Sequence, residues 1–132
     1  MYILLVEDSP SDAELVRKNL DRAGISNDLR IVQDGAKALE FARAETPILM
    51  LLDFNLPGMD GLEVLKKMRA NGKLRRLPVI VLSGSLREGD DIKAFELGAK
   101  EVLIKPLNTA RLIEALLALG FTLRLEHPFL GL

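Results

Sequence analysis

The 132-residue sequence predicts one flavodoxin-like, doubly wound α/β domain with five parallel strands and five helices. Its length allows one domain of ordinary size. Short apolar runs alternate with helical patterns along the whole chain, and these runs are nearly continuously apolar, which is typical of parallel strands covered on both faces. A five-stranded sheet of this kind most often has the strand order 2-1-3-4-5, and we expect that order here.

The expected strands are the apolar runs 2–6, 29–32, 48–52, 78–82 and 101–104. The first helix should begin after Ser9 as N-cap, with Pro10 in its first turn, and should end before Gly24. The other helices are expected over 35–44, 61–70, 88–97 and 108–119.

Composition excludes several classes of function. With 18 Lys+Arg against 19 Asp+Glu, the net charge of -1 does not favour binding to nucleic acid, an anionic membrane or an acidic substrate. The absence of cysteine excludes disulfides, zinc thiolates and thiol catalysis. No signal peptide or membrane-spanning run is present, so we expect a cytoplasmic protein.

One stretch without acids suggests a nucleic-acid patch at first sight. No aromatic residue interleaves it to stack bases, and a solvated helix face is the expected explanation. The stretch contains Lys66, Lys67, Arg69, Lys73, Arg75 and Arg76.

Polar residues stand where four of the expected strands end. The carboxyl ends of parallel strands meet at one edge of a sheet, which is where ligands bind in doubly wound folds. We therefore expect these side chains to form one site. They are Glu7 and Asp8 after strand 1, Asp53 after strand 3, Ser83 after strand 4 and Lys105 after strand 5.

This combination of groups predicts phosphoryl transfer. Clustered carboxylates repel one another unless a cation lies among them, and a partly hydrated hard ion with oxygen ligands points to Mg²⁺. Lys105 would be a point charge on a phosphate, Ser83 a hydroxyl donor, and one carboxylate the nucleophile that becomes an aspartyl phosphate. Polar residues at strand ends also occur merely as helix caps or turn formers, and this alternative would explain Asp8 with Ser9, just as it would explain Asp60 before Gly61 outside the set.

The same residues resemble the signature of bacterial two-component response regulator receiver domains. The resemblance covers residues 2 to about 118 and includes the loop 55–61, Asn-Leu-Pro-Gly-Met-Asp-Gly. It implies a phosphoryl group donated by a sensor histidine kinase to Asp53, in a Mg²⁺-dependent reaction. It further implies that Asp8 and Asp53 ligate Mg²⁺ directly, that Glu7 acts through water, and that the backbone carbonyl of Asn55 is another ligand.

The resemblance also implies that Ser83 moves toward the phosphoryl group, that Lys105 pairs with it, and that the Lys105-Pro106 peptide bond is cis. One position departs from the family pattern, because the residue three before Lys105 is often aromatic and is Val102 here. An aromatic side chain that swings at this site is therefore excluded as the signalling device.

A narrower resemblance joins this chain to single-domain regulators paired with phytochrome histidine kinases. It rests on the long tail, on Phe54 after the phosphoacceptor, and on residues 7–10 with Asp12. It makes a bacteriophytochrome a candidate for the kinase.

The chain divides into an expected receiver domain, 1–119, and a C-terminal extension, 120–132. Residues 121–126 alternate apolar and polar residues, the period of a strand, and the fold is complete without them. We expect an arm that covers a partner and forms a homodimer, because so much apolar surface usually marks an interface. The alternative is a segment that folds back over a helix of its own subunit or is disordered. The large apolar residues are Phe121, Leu123, Leu125, Phe129, Leu130 and Leu132.

Two other functions are alternatives to that of a receiver. A haloacid dehalogenase-type phosphatase also forms an aspartyl phosphate, but it needs an Asp two positions after the nucleophile, where this chain has Asn55. An inactive receiver that serves as a scaffold is disfavoured by the intact set of Asp53, Ser83 and Lys105.

Overall fold

The computed structural model describes residues 2–85 and 87–120. Five parallel strands form one sheet in the order β2-β1-β3-β4-β5, which confirms the predicted topology. Strands and helices alternate without exception through the described residues. The elements are β1 Tyr2–Val6, α1 Pro10–Arg22, β2 Asp28–Val32, α2 Gly35–Ala44, β3 Leu49–Asp53, α3 Gly61–Ala70, β4 Val79–Ser83, α4 Asp90–Glu96, β5 Glu101–Ile104 and α5 Thr109–Ala118.

The core has two layers, one on each face of the sheet. Alternate side chains of β1 enter opposite layers, with Leu4 in one and Leu5 in the other. Helices α2, α3 and α4 cover the first layer, and α1 and α5 cover the second. Among the described helices, none is long and apolar enough to cross a membrane.

The three central strands, β1, β3 and β4, are covered on both faces, but the two edge strands, β2 and β5, are not. All residues of β1, β3 and β4 are buried, whereas Val32 alone is buried in β2 and Leu103 alone in β5. The expectation that all five strands are covered on both faces is therefore wrong for the two edge strands. An edge strand has a neighbour on one side only, so the covering helices leave part of it open.

Of the five helices in the described part of the chain, four begin at a side-chain cap. Ser9, Asp34, Asp60 and Asn108 each accept a hydrogen bond from the backbone N–H three residues later. Helix α4 begins two residues later than predicted, at Asp90. The reason is the residue before it, Gly89, whose φ of 86° lies in the left-handed region and cannot continue a right-handed helix.

The basic stretch is not uniformly solvated. Five of its six residues are exposed, but Arg69 lies half-buried at the end of α3. Its guanidinium donates hydrogen bonds to the carbonyl oxygens of Arg75 at 2.5 Å, Leu97 at 2.6 Å and Gly98 at 3.1 Å. The expectation of a solvated face is therefore wrong for Arg69, because the forked donors of arginine can satisfy several carbonyls at once.

Candidate functional site

The parallel sheet carries the expected polar residues to one edge. Register pairs Val6 with Leu52, Asp53 with Leu82, and Ser83 with Ile104, so the strands end at nearly the same level. Glu7 and Lys105 come directly after their strands and join Asp53 and Ser83 at this edge.

Three carboxylates form the centre of the site. Glu7 is 1% exposed and Asp53 is 4% exposed, while Asp8 is open to solvent. One carboxylate oxygen of each lies within 4.8 Å of the others. Such a set of hard oxygen donors fits a single divalent ion that is bound partly through water.

The ammonium of Lys105 lies beside this cluster. It donates a hydrogen bond to the carboxylate of Glu7. The Nζ atom of Lys105 also lies 3.1 Å from Asp12 Oδ2 and 3.5 Å from Asp53 Oδ2. Burial alone would lower the pKa of Lys105, but the bonds to Glu7 and Asp12 and the charge of Asp53 outweigh burial and raise it. Lys105 is therefore firmly charged.

The buried position of Glu7 affects the ionisation of its carboxyl group. Burial and the neighbouring Asp53 raise the pKa of Glu7 to about 7, against the opposing effect of Lys105. A divalent ion in the cluster would favour the ionised carboxylate and reverse this shift.

A second set of contacts joins the ends of β3 and β4. The backbone N–H of Asn55 donates to Asp53 Oδ1 at 3.0 Å, and the Asn55 side-chain amide donates to Ser83 Oγ at 3.3 Å. The Ser83 hydroxyl in turn donates to the carbonyl of Ser85 at 2.8 Å. Ser83 is completely buried, and these bonds direct its hydroxyl toward the loop after β4.

One expectation about the segment around Lys105 is confirmed. The Lys105-Pro106 peptide bond is cis. Val102 is partly buried and packs against the core layer beneath α2, α3 and α4.

One contact of the site was not anticipated, namely the one between Asp12 and Lys105. The signal in the sequence was weak: Asp12 lies in the first turn of a helix that begins just after the site-bearing end of β1. An acid in that turn is also explained by the helix dipole, so position alone did not point to the site.

The fold and this constellation define the class of protein. Residues 3–117 match the family described as response regulator receiver domain. The chain belongs to this family, whose members are signalling proteins.

Individual relatives point to a narrower group within this family. Response regulator Rcp1 of Synechocystis sp. is 42% identical over 113 residues, which are 80% of this chain and 77% of Rcp1. The Mn²⁺-bound structure of Rcp1 superposes with a TM-score of 0.75 at 37% identity, over 92% of this chain and 97% of that chain.

Two further solved structures are regulators of phytochrome systems. The bacteriophytochrome response regulator AtBRR has a TM-score of 0.82 at 34% identity, over 95% of this chain and 96% of that chain. The phosphorylated cyanobacterial phytochrome response regulator RcpA has a TM-score of 0.75 at 32% identity, over 92% of this chain and 96% of that chain. This chain is thus a receiver that resembles the single-domain regulators of phytochromes.

Proposed function

We propose that this protein is a single-domain response regulator that accepts a phosphoryl group on Asp53 from a sensor histidine kinase. The observation that carries the proposal is the position of Asp53, whose carboxylate lies within 4.8 Å of two other carboxylates and 3.5 Å from the ammonium of Lys105. Its membership of the receiver family and its similarity to a regulator solved in phosphorylated form support the same role.

The proposed metal ion is Mg²⁺. Asp8 and Asp53 would ligate it directly, the backbone carbonyl of Asn55 would add a ligand, and Glu7 would act through water. Bound Mg²⁺ would neutralise negative charge on the transferring phosphoryl group. The cluster of carboxylate oxygens supports this assignment, as does the Mn²⁺-bound structure of the related Rcp1.

The side chains of the site supply the remaining chemistry. A carboxylate oxygen of Asp53 forms a bond to phosphorus while the bond between phosphorus and the donor histidine nitrogen breaks. Lys105 places a positive charge beside the incoming oxygens. The Ser83 hydroxyl gives up its hydrogen bond to the carbonyl of Ser85 and donates a hydrogen bond to one of the phosphoryl oxygens instead.

The proposed partners are a histidine kinase and a second copy of the chain. The similarity to AtBRR and RcpA supports a bacteriophytochrome as the kinase. The homodimer rests on the apolar extension 120–132 beyond the receiver domain 1–119, and residues 121–132 lie outside the described residues. A cytoplasmic location without nucleic-acid or membrane partners completes the proposal.

The phosphatase alternative has little support. The chain matches the receiver family, and Asn55 holds Ser83 through its amide at the position where the phosphatase would need a proton-transferring Asp.

Acetyl phosphate and Mg²⁺ test the chemistry without the kinase. Intact mass measurement should reveal one added phosphoryl group. The added mass should be absent when the reaction is run without Mg²⁺, and absent in Asp53→Asn. The control is Asp21→Asn, which makes the same change at an exposed residue of α1. Lack of phosphorylation in the native protein, or phosphorylation that persists in Asp53→Asn, would overturn the proposal.

A further inference from the structure

Asp12 is an acid of the site that stands apart from the three clustered carboxylates. It lies in the first turn of α1, and its side chain is 41% exposed. Its Oδ2 accepts a hydrogen bond from Lys105 at 3.1 Å, which is shorter than the 3.5 Å between Lys105 and Asp53.

The donors of Lys105 are divided among these acids. An ammonium has three N–H donors and no acceptor. Glu7 and Asp12 each accept one hydrogen bond, whereas Asp53 Oδ2 lies 3.5 Å from the ammonium, close but beyond ordinary hydrogen-bond distance. The two bonded acids therefore determine where the positive charge lies relative to Asp53.

Of the two bonded acids, Asp12 is the one outside the carboxylate cluster. Glu7 belongs to the cluster that would surround a divalent ion, whereas Asp12 does not. If a metal ion bound near Glu7 and weakened its hydrogen bond to Lys105, Asp12 would be the remaining hydrogen-bond acceptor that holds the ammonium.

A second polar contact fixes α1 against the segment after β5. The hydroxyl of Thr109 donates to Asn19 Oδ1 at 2.5 Å, and the Asn19 amide donates to the carbonyl of Leu15 at 2.8 Å. Asn19 is 6% exposed and lies about two helical turns after Asp12, so both residues use the same side of α1. Asp12 is thus held on a rigid element.

We propose that Asp12 is a positioning residue for phosphoryl acceptance, which holds the ammonium of Lys105 over Asp53 by hydrogen bonding. The inference rests on the proposed function. The negative charge of Asp12 would by itself oppose the arrival of a phosphoryl group. Solvent weakens that repulsion, because the Asp12 side chain is 41% exposed. The hydrogen bond, which orients the ammonium, is the larger effect.

Two substitutions separate the hydrogen bond from the charge. Asp12→Asn removes the charge and keeps an acceptor oxygen, whereas Asp12→Ala removes both. With acetyl phosphate and Mg²⁺, we expect Asp12→Ala to slow phosphorylation about tenfold, because small misplacements of a catalytic group are costly. Asp12→Asn should stay within about threefold of the native rate, since the acceptor remains.

A matched control comes from the next turn of the same helix. Glu14 is an exposed acid that pairs with Arg17 on the surface at 3.8 Å. Glu14→Ala should leave the phosphorylation rate unchanged, and thermal melting should confirm that each variant is folded. If Asp12→Ala does not fold, Asp12→Leu, which also lacks an acceptor, replaces it.

A double-mutant cycle tests whether Asp12 acts through Lys105. In a Lys105→Met background, Asp12→Ala should cause no further loss, because the group that it positions is absent. A merely structural role for Asp12 would give additive losses instead.

The outcomes separate this inference from the proposed function. If the native protein is phosphorylated, equal or faster phosphorylation of Asp12→Ala, the same rate for the alanine and asparagine variants, or additive losses in the cycle would overturn the inference alone. If the native protein accepts no phosphoryl group at Asp53, the proposed function fails, and the role of Asp12 fails with it.

Discussion

The guanidinium of Arg69 and the carbonyl oxygen of Gly98 are joined by a hydrogen bond of 3.1 Å, although 29 positions separate the two residues in the sequence. Through this bond the end of α3 is tied to the turn between α4 and β5. The same guanidinium bonds the carbonyl of Leu97 at 2.6 Å, so one side chain satisfies two successive carbonyls of that turn.

Replacing Arg69 with methionine should destabilise the fold. The variant leaves carbonyl oxygens of the turn without their partner, and we expect the free energy of unfolding to fall by about 3 kcal/mol. Urea denaturation followed by circular dichroism measures this change. Arg76→Met, at an exposed position of the same basic stretch, is the control and should change stability by less than about 0.5 kcal/mol. Equal effects would mean that the bonds of Arg69 contribute nothing specific.

Gly98→Ala should also destabilise the protein. Gly98 has a φ of 89°, which side chains rarely adopt, and an added Cβ would lie 2.7 Å from Arg69 Nε. We expect a loss of about 1–2 kcal/mol in the free energy of unfolding. The matched control is Gly72→Ala, where a Cβ would meet open space. A Gly98→Ala protein as stable as Gly72→Ala would contradict this reasoning.

Asp8→Asn should weaken Mg²⁺ binding. The substitution removes a charged oxygen ligand from the cluster, and we expect the dissociation constant to rise at least about tenfold. Isothermal titration calorimetry with Mg²⁺ measures it. Asp21→Asn makes the same change at the far end of α1 and should bind Mg²⁺ as the native protein does. Unchanged affinity in Asp8→Asn would remove Asp8 from the set of ligands.

Mg²⁺ affinity should increase as pH rises through about 7. The pKa of Glu7 is raised to about 7 in the metal-free protein, so Glu7 is largely neutral below that pH and largely ionised above it. A positive ion binds better beside the ionised form, and binding below pH 7 must release a proton. Calorimetry at pH 6 and pH 8 measures the difference.

The control for this pH dependence is Glu7→Gln, which cannot ionise. Its Mg²⁺ affinity should be weaker at pH 8 and should change far less between the two pH values. An unchanged dependence in Glu7→Gln would assign the titration to another group.

Deletion of residues 121–132 should give a monomer. The deleted segment carries the large apolar side chains proposed to reach a second subunit, while the five strands and five helices of the described residues all lie within 2–120. The truncated protein should remain folded and still accept a phosphoryl group on Asp53. Sedimentation velocity measures the mass of both forms. A full-length monomer at high concentration, or a truncated dimer, would show that the extension does not join the subunits.

Much of the fold could be predicted because its signals are local. Apolar runs indicated the strands, and Ser9, Asp60 and Asn108 cap helices at or within a residue or two of the predicted starts. The parallel topology then predicted that the residues after β1, β3, β4 and β5 would meet at one edge, and the structure brings Glu7, Asp8 and Asp53 within 4.8 Å. The roles of these residues in phosphoryl transfer stay predictions.

The sequence by itself determined the alternation of strands and helices and the helix starts that depend on side-chain caps. Together with the usual order of a five-stranded doubly wound sheet, it also predicted the edge where the polar residues gather. Only the tertiary structure decided which partners the long charged side chains find. Lys105 donates a hydrogen bond to Asp12, 93 positions away, and Arg69, unlike its exposed basic neighbours, donates to carbonyl oxygens 28 and 29 positions away. The tertiary structure also decided that both edge strands are partly exposed. The physical reason is that periodicity and caps act within a few residues. The partner of a long charged side chain, by contrast, depends on how neighbouring helices pack on the finished sheet.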